Sequence, residues 1–582
     1  MHVGLSALDI IKIYEKYGGK AVSLIKENPY KISKEKLISF RKADIIAKKL
    51  GISPKDKSRI KEAIIQYINY ESNSKGNLFV YKDVLYSELN EYLKKYGAYK
   101  AEYTISIEEA NKAIENLKEE GTIVAEQDEN NDICLYLKQY QDIENNTVEL
   151  IKKMLNEYQL STISSIKIKD YLDKSNVQAS SSQKQAIIMA MANKISILTG
   201  GPGTGKTTTV KWIIDTIKNF YPEAEIELVA PTGKAARKLS EKTGMEAKTI
   251  HRLVGMNNLG EKTGTLKNIS ADFLIIDESS MIDVCLFYSL ISVISDKTQI
   301  LLIGDYNQLP SVGPGTIFKD LVESKIIPCV TLEKVFRQKN SSQILQNANK
   351  IAAGKKDLNL NNSDEFSFIG TKNIKKIKEN IVKSIKKLLQ IGYKMKDIQV
   401  ITPMNIGDIG TRELNNFIQD KLNPRKTYKP EIKVKDKVFR VGDKVMQIIN
   451  NYEINVFNGE SGKIVAIDNR YPHKVVVDFG DRAVIYAGDL ISQLTLSYAI
   501  TAHKAQGDEF GIVIMPIHSS HSIMLNRNLI YTSWTRAKGK LVLMGDIEEL
   551  YRSIDKSCVE TRKSLLKDKL LKMNKELTDI PF

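Results

Sequence analysis

Ten residues, GGPGTGKTTT at 200–209, constrain this chain more than any other stretch of it. Gly200, Gly205, Lys206 and Thr207 satisfy G-x-x-x-x-G-K-[ST]. An apolar strand, ISILT (195–199), runs into the motif and a helical run, TTTVKWIIDTIKNF, leaves it. Strand, glycine-rich loop and helix start in that order aim backbone N–H groups at phosphate oxygens. The spacing predicts a nucleotide cradle made by Gly200, Gly203, Thr204, Gly205, Lys206, Thr207 and Thr208. Lys206 is expected to neutralise the β- and γ-phosphates and Thr207 to hold Mg²⁺, so ATP and Mg²⁺ are the expected cofactors.

Further apolar runs, ELVAPT (227–232), DFLIIDE (272–278) and TQILLIGD (298–305), alternate with helical stretches, which predicts a parallel sheet covered on both faces. Asp277 and Glu278 end one of these strands. There Asp277 can join the magnesium shell and Glu278 can orient an attacking water. Gln308, in GDYNQLPSVGPG (304–315), falls just beyond the carboxyl edge of the sheet, where it can report on a terminal phosphate. A second set of such strands is DIQVITPMN (397–405), FGIVIMPI (510–517) and KLVLMGD (540–546). Between them DKVMQII, GKIVAID, KVVVDFG and RAVIYAG read as four short strands of a small inserted β-barrel.

Composition narrows the partners. Lys+Arg 86 against Asp+Glu 70 leaves a net charge of +16, and residues 1–70 carry fifteen basic against seven acidic side chains. That surplus favours a polyanion, nucleic acid ahead of an anionic membrane, with the N-terminus as a candidate contact. Cys134, Cys285, Cys329 and Cys558 are far apart and give no metal spacing, so a reducing, cytoplasmic setting is expected. No apolar run of about 18 residues occurs, and the start lacks a signal-peptide pattern. Residues 1–70 read as short helices broken at Gly18-Gly19, Asn28-Pro29 and Gly51-Ile52-Ser53-Pro54; residues 71–150, with a helix (105–121) and a hairpin (TIVAEQDENNDICLYL), read as winged-helix-like.

Together with VAPTGKAARKLSE (229–241), AKTIHRL (247–253), LEKVFRQ (332–338), GTRELNNFIQDKLNP (410–424), FRVGDKVMQIINNYEINVFNGE (439–460), LSYAITAHKAQGDEF (496–510) and LIYTSWTRAKGKLVLMGD (529–546), these motifs resemble helicase superfamily 1. In detail they resemble the RecD-type DNA helicases. The resemblance implies an α/β fold with two RecA-like P-loop NTPase domains, an inserted SH3-like β-barrel and an N-terminal helical, winged-helix-like region. The implied boundaries are 1–70 for a helix-hairpin-helix-like module, 71–150 for the winged-helix-like module, 151–335 for the first RecA-like domain, 336–427 with 493–582 for the second, and 428–492 for the barrel. It also implies that Gln183 reads the adenine edge and that Arg337 and Arg536 reach the γ-phosphate from across a cleft. The competing readings are a helix-start glutamine and structural ion pairs. Residues 252–270 stand where the family places a strand-separating hairpin, here short and without an aromatic wedge, and Ser39 stands where a hairpin glycine is expected.

On the DNA side the resemblance implies contacts from Thr232, Lys234, Arg237, Thr501, His503, Lys504 and Gln506, although His503 also reads as a packing histidine, as does His251. Such side chains suit phosphate oxygens and need no base identity. The implied activity is ATP-dependent unwinding by a motor on single-stranded DNA, with 5′-to-3′ movement, acting at single-strand/duplex junctions in repair or recombination; a monomer is expected. A DNA-stimulated ATPase that remodels complexes, or a motor subunit of a nuclease assembly, is the alternative. A relaxase-helicase is disfavoured, because only His2 precedes His251 and a nicking domain needs a histidine cluster.

Overall fold

The apolar runs become strands buried on both faces, because alternate residues of each strand supply opposite cores. Leu274 and Ile276 enter one core with Ile197, Phe287 and Leu321, whereas Phe273 and Ile275 enter the other with Leu198, Val210 and Ile213. The protein is seen here as a computed structural model that describes residues 5–99, 103–156, 164–175, 178–256, 268–334 and 342–578. The first sheet runs in the order Ala247–Thr249, Ile226–Ala230, Phe273–Ile276, Gln299–Gly304, Ile195–Gly200, Cys329–Leu332, all parallel. Its two outermost strands, four residues or fewer, have no long apolar run and were not foreseen from the sequence.

The second sheet is also parallel: Phe366–Gly370, Ala537–Gly545, Phe510–Ile517, Ile398–Thr402, Ala499–Thr501. The chain leaves it after the helix Thr411–Leu422. It then forms a two-stranded ribbon, Glu431–Val434 with Lys437–Arg440, and an antiparallel sheet ordered Ala483–Ala487, Lys474–Asp478, Ser461–Asp468, Lys444–Gln447, Leu494–Leu496. The ribbon and the last strand extend what the four-strand pattern anticipated.

The N-terminal helices Ala7–Tyr17, Ala21–Glu27, Pro29–Lys34, Phe40–Lys49 and Lys57–Lys75 are knotted by one buried carboxylate. Asp44 accepts from Tyr30 Oη (2.8 Å), Arg59 Nε (2.8 Å) and Ala98 N (2.7 Å). Ser39 has an ordinary extended backbone (φ −71°) and caps the helix Phe40–Lys49 by accepting from Lys42 N, so no glycine is needed there. Helices Lys82–Tyr96 and Ile107–Glu119 and the sheet Phe79–Tyr81, Ile133–Leu137, Ile123–Gln127 complete a winged-helix-like unit. The C-terminus departs from the sequence reading, which gave 493–582 to the second lobe. The last helix, Leu566–Thr578, crosses back, and Leu566, Leu570 and Met573 pack into the first-lobe core beside Leu321 and Ile151. Among the described residues no helix is long and apolar enough to cross a membrane.

Candidate functional site

The glycine-rich loop joins the strand Ile195–Gly200 to the helix Lys206–Phe220 and turns through backbone that only glycine adopts cheaply: Gly203 and Gly205 have φ of +76° and +85°. A Cβ on Gly200 would sit 2.8 Å from Leu332 O, so close packing also requires glycine at that position. Thr204, buried, donates to Gly201 O (2.8 Å) and shapes the loop from within. Lys206 Nζ donates to the carbonyls of Gly200 and Gly201, the latter at 3.0 Å. This holds the ammonium over the loop's own oxygens.

In front of the loop is a cleft of about 300 Å³ with walls from both lobes. Gly203, Gly205, Lys206, Thr207 and Thr208 line one side with Asp277, Glu278 and Gln308; Gly507, Glu509 and Arg536 face them from the second lobe. Asp277 accepts from Glu278 N (2.9 Å), and burial, reinforced by the Glu278 charge, pushes its carboxyl up to about 6. Glu278 has φ +52°, a strained conformation for a side-chain-bearing residue, of the kind that clusters at active sites. Gln308 is buried and donates to Asp305 Oδ2 (3.1 Å). Arg536, 4% exposed, donates to Thr532 O and Asp508 O, both at 3.1 Å. A hydroxyl on Thr207 and a carboxylate on Asp277 are the hard oxygen donors a magnesium ion takes, so the residues present fit that ion.

Other sequence-derived candidates are placed differently. Gln183 does not line this cleft; it is buried and forms a capping box with Ser180, accepting from Ser180 N (2.9 Å). Arg337 lies outside the described residues, as do residues 257–267 of the candidate hairpin segment 252–270. Thr232 caps the helix Gly233–Thr243, accepting from Ala235 N (3.2 Å). Lys234 pairs with Asp508 and donates to Gly459 O (2.6 Å), and Arg237 pairs with Glu460 (3.0 Å) and Asp481, so both are held by groups of the second lobe and the barrel. Gln506 donates to Leu309 O (2.9 Å) in the first lobe. His503 is pushed below the usual histidine value by burial and then by the Arg562 charge. Thr501 and Lys504 do line a second cleft, about 400 Å³, together with Arg412, Lys437 and Asn416.

The sequence reading missed two features. Lys238 lines the nucleotide-sized cleft, donates to Gly507 O (2.6 Å) and is pushed down to about 8 by burial; its position four residues after Lys234, on the same helix face, was the available signal. Tyr531 Oη, from the second lobe, donates to the Asp305 carboxylate (2.9 Å) that holds Gln308. No local pattern announces a pair 226 residues apart.

Family models match four parts of the chain: an AAA domain at 183–314, the ATP-dependent RecD-like DNA helicase SH3 domain at 414–479, the ATP-dependent RecD2 DNA helicase HHH domain at 1–79, and the UvrD-like helicase C-terminal domain at 496–544. Among curated relatives, the ATP-dependent RecD2 DNA helicase of Deinococcus radiodurans is 34% identical over 62% of this chain and 49% of its own length. The RecBCD enzyme subunit RecD of Buchnera aphidicola is 27% identical over 64% of this chain and 74% of its own. An uncharacterised protein of Methanocaldococcus jannaschii is 27% identical over 94% of this chain and 55% of its own. The chain thus spans about half the length of the first and third of these relatives. Among solved structures, a Bacteroides Pif1 helicase in complex with ADP-AlF3 and ssDNA is 19% identical over 62% of this chain and 92% of its own, at a TM-score of 0.42.

Proposed function

We propose that this chain, which matches the RecD-like DNA helicase SH3 and HHH domain models and is 34% identical to a RecD2 DNA helicase, is an ATP-driven motor of that kind that moves 5′ to 3′ on single-stranded DNA and opens duplex. The observation that carries the reading is the cleft itself, in which the glycine loop, Lys206, Glu278 and Gln308 of one lobe face Arg536 of the other. An arrangement of this kind is complete only when the lobes are together, so hydrolysis and lobe spacing are tied.

In this mechanism the loop amides and the start of the helix Lys206–Phe220 receive the phosphates, and Lys206 exchanges the Gly200 and Gly201 carbonyls for phosphate oxygens. Thr207 and Asp277 would hold the magnesium ion, which neutralises phosphate charge when bound. Glu278 orients the attacking water and takes its proton, Gln308 marks the terminal phosphate, and the Arg536 guanidinium stabilises charge as the phosphoryl group leaves. Single-stranded DNA runs past Thr501 and Lys504 in the second cleft. Lys234 and Arg237 reach it by exchanging carboxylates for phosphates. We place the protein in the cytoplasm, in repair or recombination.

Lys206→Ala tests the assignment: it should abolish ATP hydrolysis and leave oligonucleotide binding intact, and hydrolysis at the wild-type rate would refute it. A forked duplex with a 5′ or a 3′ single-stranded tail, incubated with ATP, tests unwinding and its direction. Hydrolysis without strand release from either fork would favour a remodelling ATPase instead.

A further inference from the structure

Arg562 belongs to none of the segments assigned above to nucleotide or DNA, yet its half-buried guanidinium makes four hydrogen bonds to one short loop, three of them to backbone carbonyls. It donates to Ser311 O (2.6 Å), Ser311 Oγ (3.3 Å), Gly313 O (3.0 Å) and Gly315 O (3.0 Å). Among the described residues no carboxylate pairs with it, and burial lowers its proton affinity. A guanidinium spent on neutral carbonyls is costly to bury, and what the arrangement supplies is a fixed loop. That loop, Asp305–Gly315, is the one that carries Gln308 into the cleft.

The loop is gripped from three sides. Its front is tied to the second lobe, where Leu309 N donates to Thr532 Oγ1 (2.8 Å) and Asn528 Nδ2 donates to Asn307 O (3.0 Å). Its back is tied to the N-terminal region, where Gly315 N donates to Gly76 O (2.9 Å). Gly76, at φ +78°, ends the helix Lys57–Lys75, and a Cβ there would come 2.4 Å from Arg562 Cζ. Arg562 itself rides on the segment that leaves the second lobe and returns to the first. The neighbouring Lys563 O accepts from Leu78 N (2.9 Å). Three bodies of the protein therefore meet at one side chain.

We propose that Arg562 is a positioning residue for the terminal-phosphate side of the nucleotide cleft, acting through the Gln308 loop, and that this node lets the N-terminal region bear on hydrolysis. The proposal rests on the ATPase reading above and deepens it.

The test compares oligonucleotide-stimulated ATP hydrolysis by wild type, Arg562→Lys, Gly76→Ala, Gln308→Ala and the double variant R562K/Q308A. Lysine keeps the charge but cannot reproduce a planar fork, so kcat should fall roughly ten- to a hundredfold for a displaced group while KM stays within about threefold. G76A, distant from every nucleotide motif, should act in the same direction. In the Q308A background the R562K loss should shrink to under about twofold, because residues acting through one another are not additive. Hydrogen exchange on the nucleotide-free protein should speed up at amides 306–316 in R562K and stay unchanged in the helix Lys206–Phe220. Losses that multiply in the double variant, or unchanged kcat in R562K, would overturn the proposal. Wild-type protein without ATPase activity would instead overturn the functional reading, and loop exchange unaltered by R562K would then overturn the node independently.

Discussion

Replacing Arg536 by alanine probes the central claim that the two lobes share one catalytic cleft. Its guanidinium is nearly fully buried, has two backbone carbonyl partners at 3.1 Å, and is paired with no carboxylate among the described residues. A cation so placed is poorly compensated until an anion enters the cleft. An arginine supplied to a phosphoryl-transfer transition state is worth about 10³–10⁵ in kcat. At about 1.36 kcal/mol per decade, that is roughly 4–7 kcal/mol of barrier. The structural loss is smaller: Thr532 O keeps the Thr535 Oγ1 hydroxyl as a donor (3.1 Å), and Asp508 O, which loses the Arg536 bond, costs about 1–3 kcal/mol, which lowers the melting temperature but leaves a folded protein. Steady-state ATPase with saturating oligonucleotide should therefore show kcat reduced at least a thousandfold with KM little changed, since the interaction is made in the transition state. Fluorescent ADP should still bind. A folded variant that loses less than about tenfold in kcat, or whose loss is all in KM, would refute the shared cleft.

Three further outcomes follow from the same contacts. Asp44→Asn leaves Arg59 buried without its counter-ion and should destabilise the N-terminal module by about 3–5 kcal/mol, read as an earlier first transition in urea, while Lys206-dependent hydrolysis persists. The double variant E460Q/D481N releases Arg237 from the barrel and should tighten single-strand binding, with a log–log salt slope steeper by about one, measured by fluorescence anisotropy. Burial pushes the Asp320 carboxyl up to about 7, against hydrogen bonds from Thr316 and Ser564 and with Glu144 and Lys319 nearby. The folded state therefore keeps a proton that the unfolded chain releases, and stability falls as pH rises from about 4 to 7. D320N should remove that fall, so its stability advantage over wild type should grow across the same interval and level off above it.

The sequence was most legible where chemistry and local pattern coincide. The loop 200–209 is readable because a phosphate cradle needs glycine, lysine and threonine at fixed spacing, and the central strands because burial on two faces demands continuous apolar runs. Edge strands such as Ala247–Thr249 and Ala499–Thr501 are three residues long and carry no periodicity to detect. Lys234 and Arg237 were read from their motif as DNA contacts; their present partners, Asp508, Glu460 and Asp481, come from more than 220 residues away and no local rule pairs them. Gln183 sits three residues after Ser180, the spacing of a capping box, so local sequence alone accounts for its place at the helix start. The return of the C-terminal helix to the first lobe was invisible because its apolar residues, Leu566, Leu570 and Met573, specify a helix face but not the surface that covers it.

In the proposed motor, the helix Gly233–Thr243 would link nucleotide state to DNA grip without a long relay. Lys234, Arg237 and Lys238 fall three and four residues apart, hence on one face of a rigid rod only about 16 Å long. Lys234 grips Asp508 of the second lobe and Gly459 of the barrel, Arg237 grips barrel carboxylates, and Lys238 lines the nucleotide-sized cleft while holding Gly507 O. Gly507 and Asp508 directly follow Gln506, in the same segment as Thr501 and Lys504 of the second cleft. Any change in lobe spacing that alters the Lys238 contact must also shift Lys234 relative to Asp508, because one helix carries both lysines and adjacent residues carry both partners. In the proposed motor, a phosphate entering on either side would compete for the contacts of this one interface, so both sites would bias the same packing.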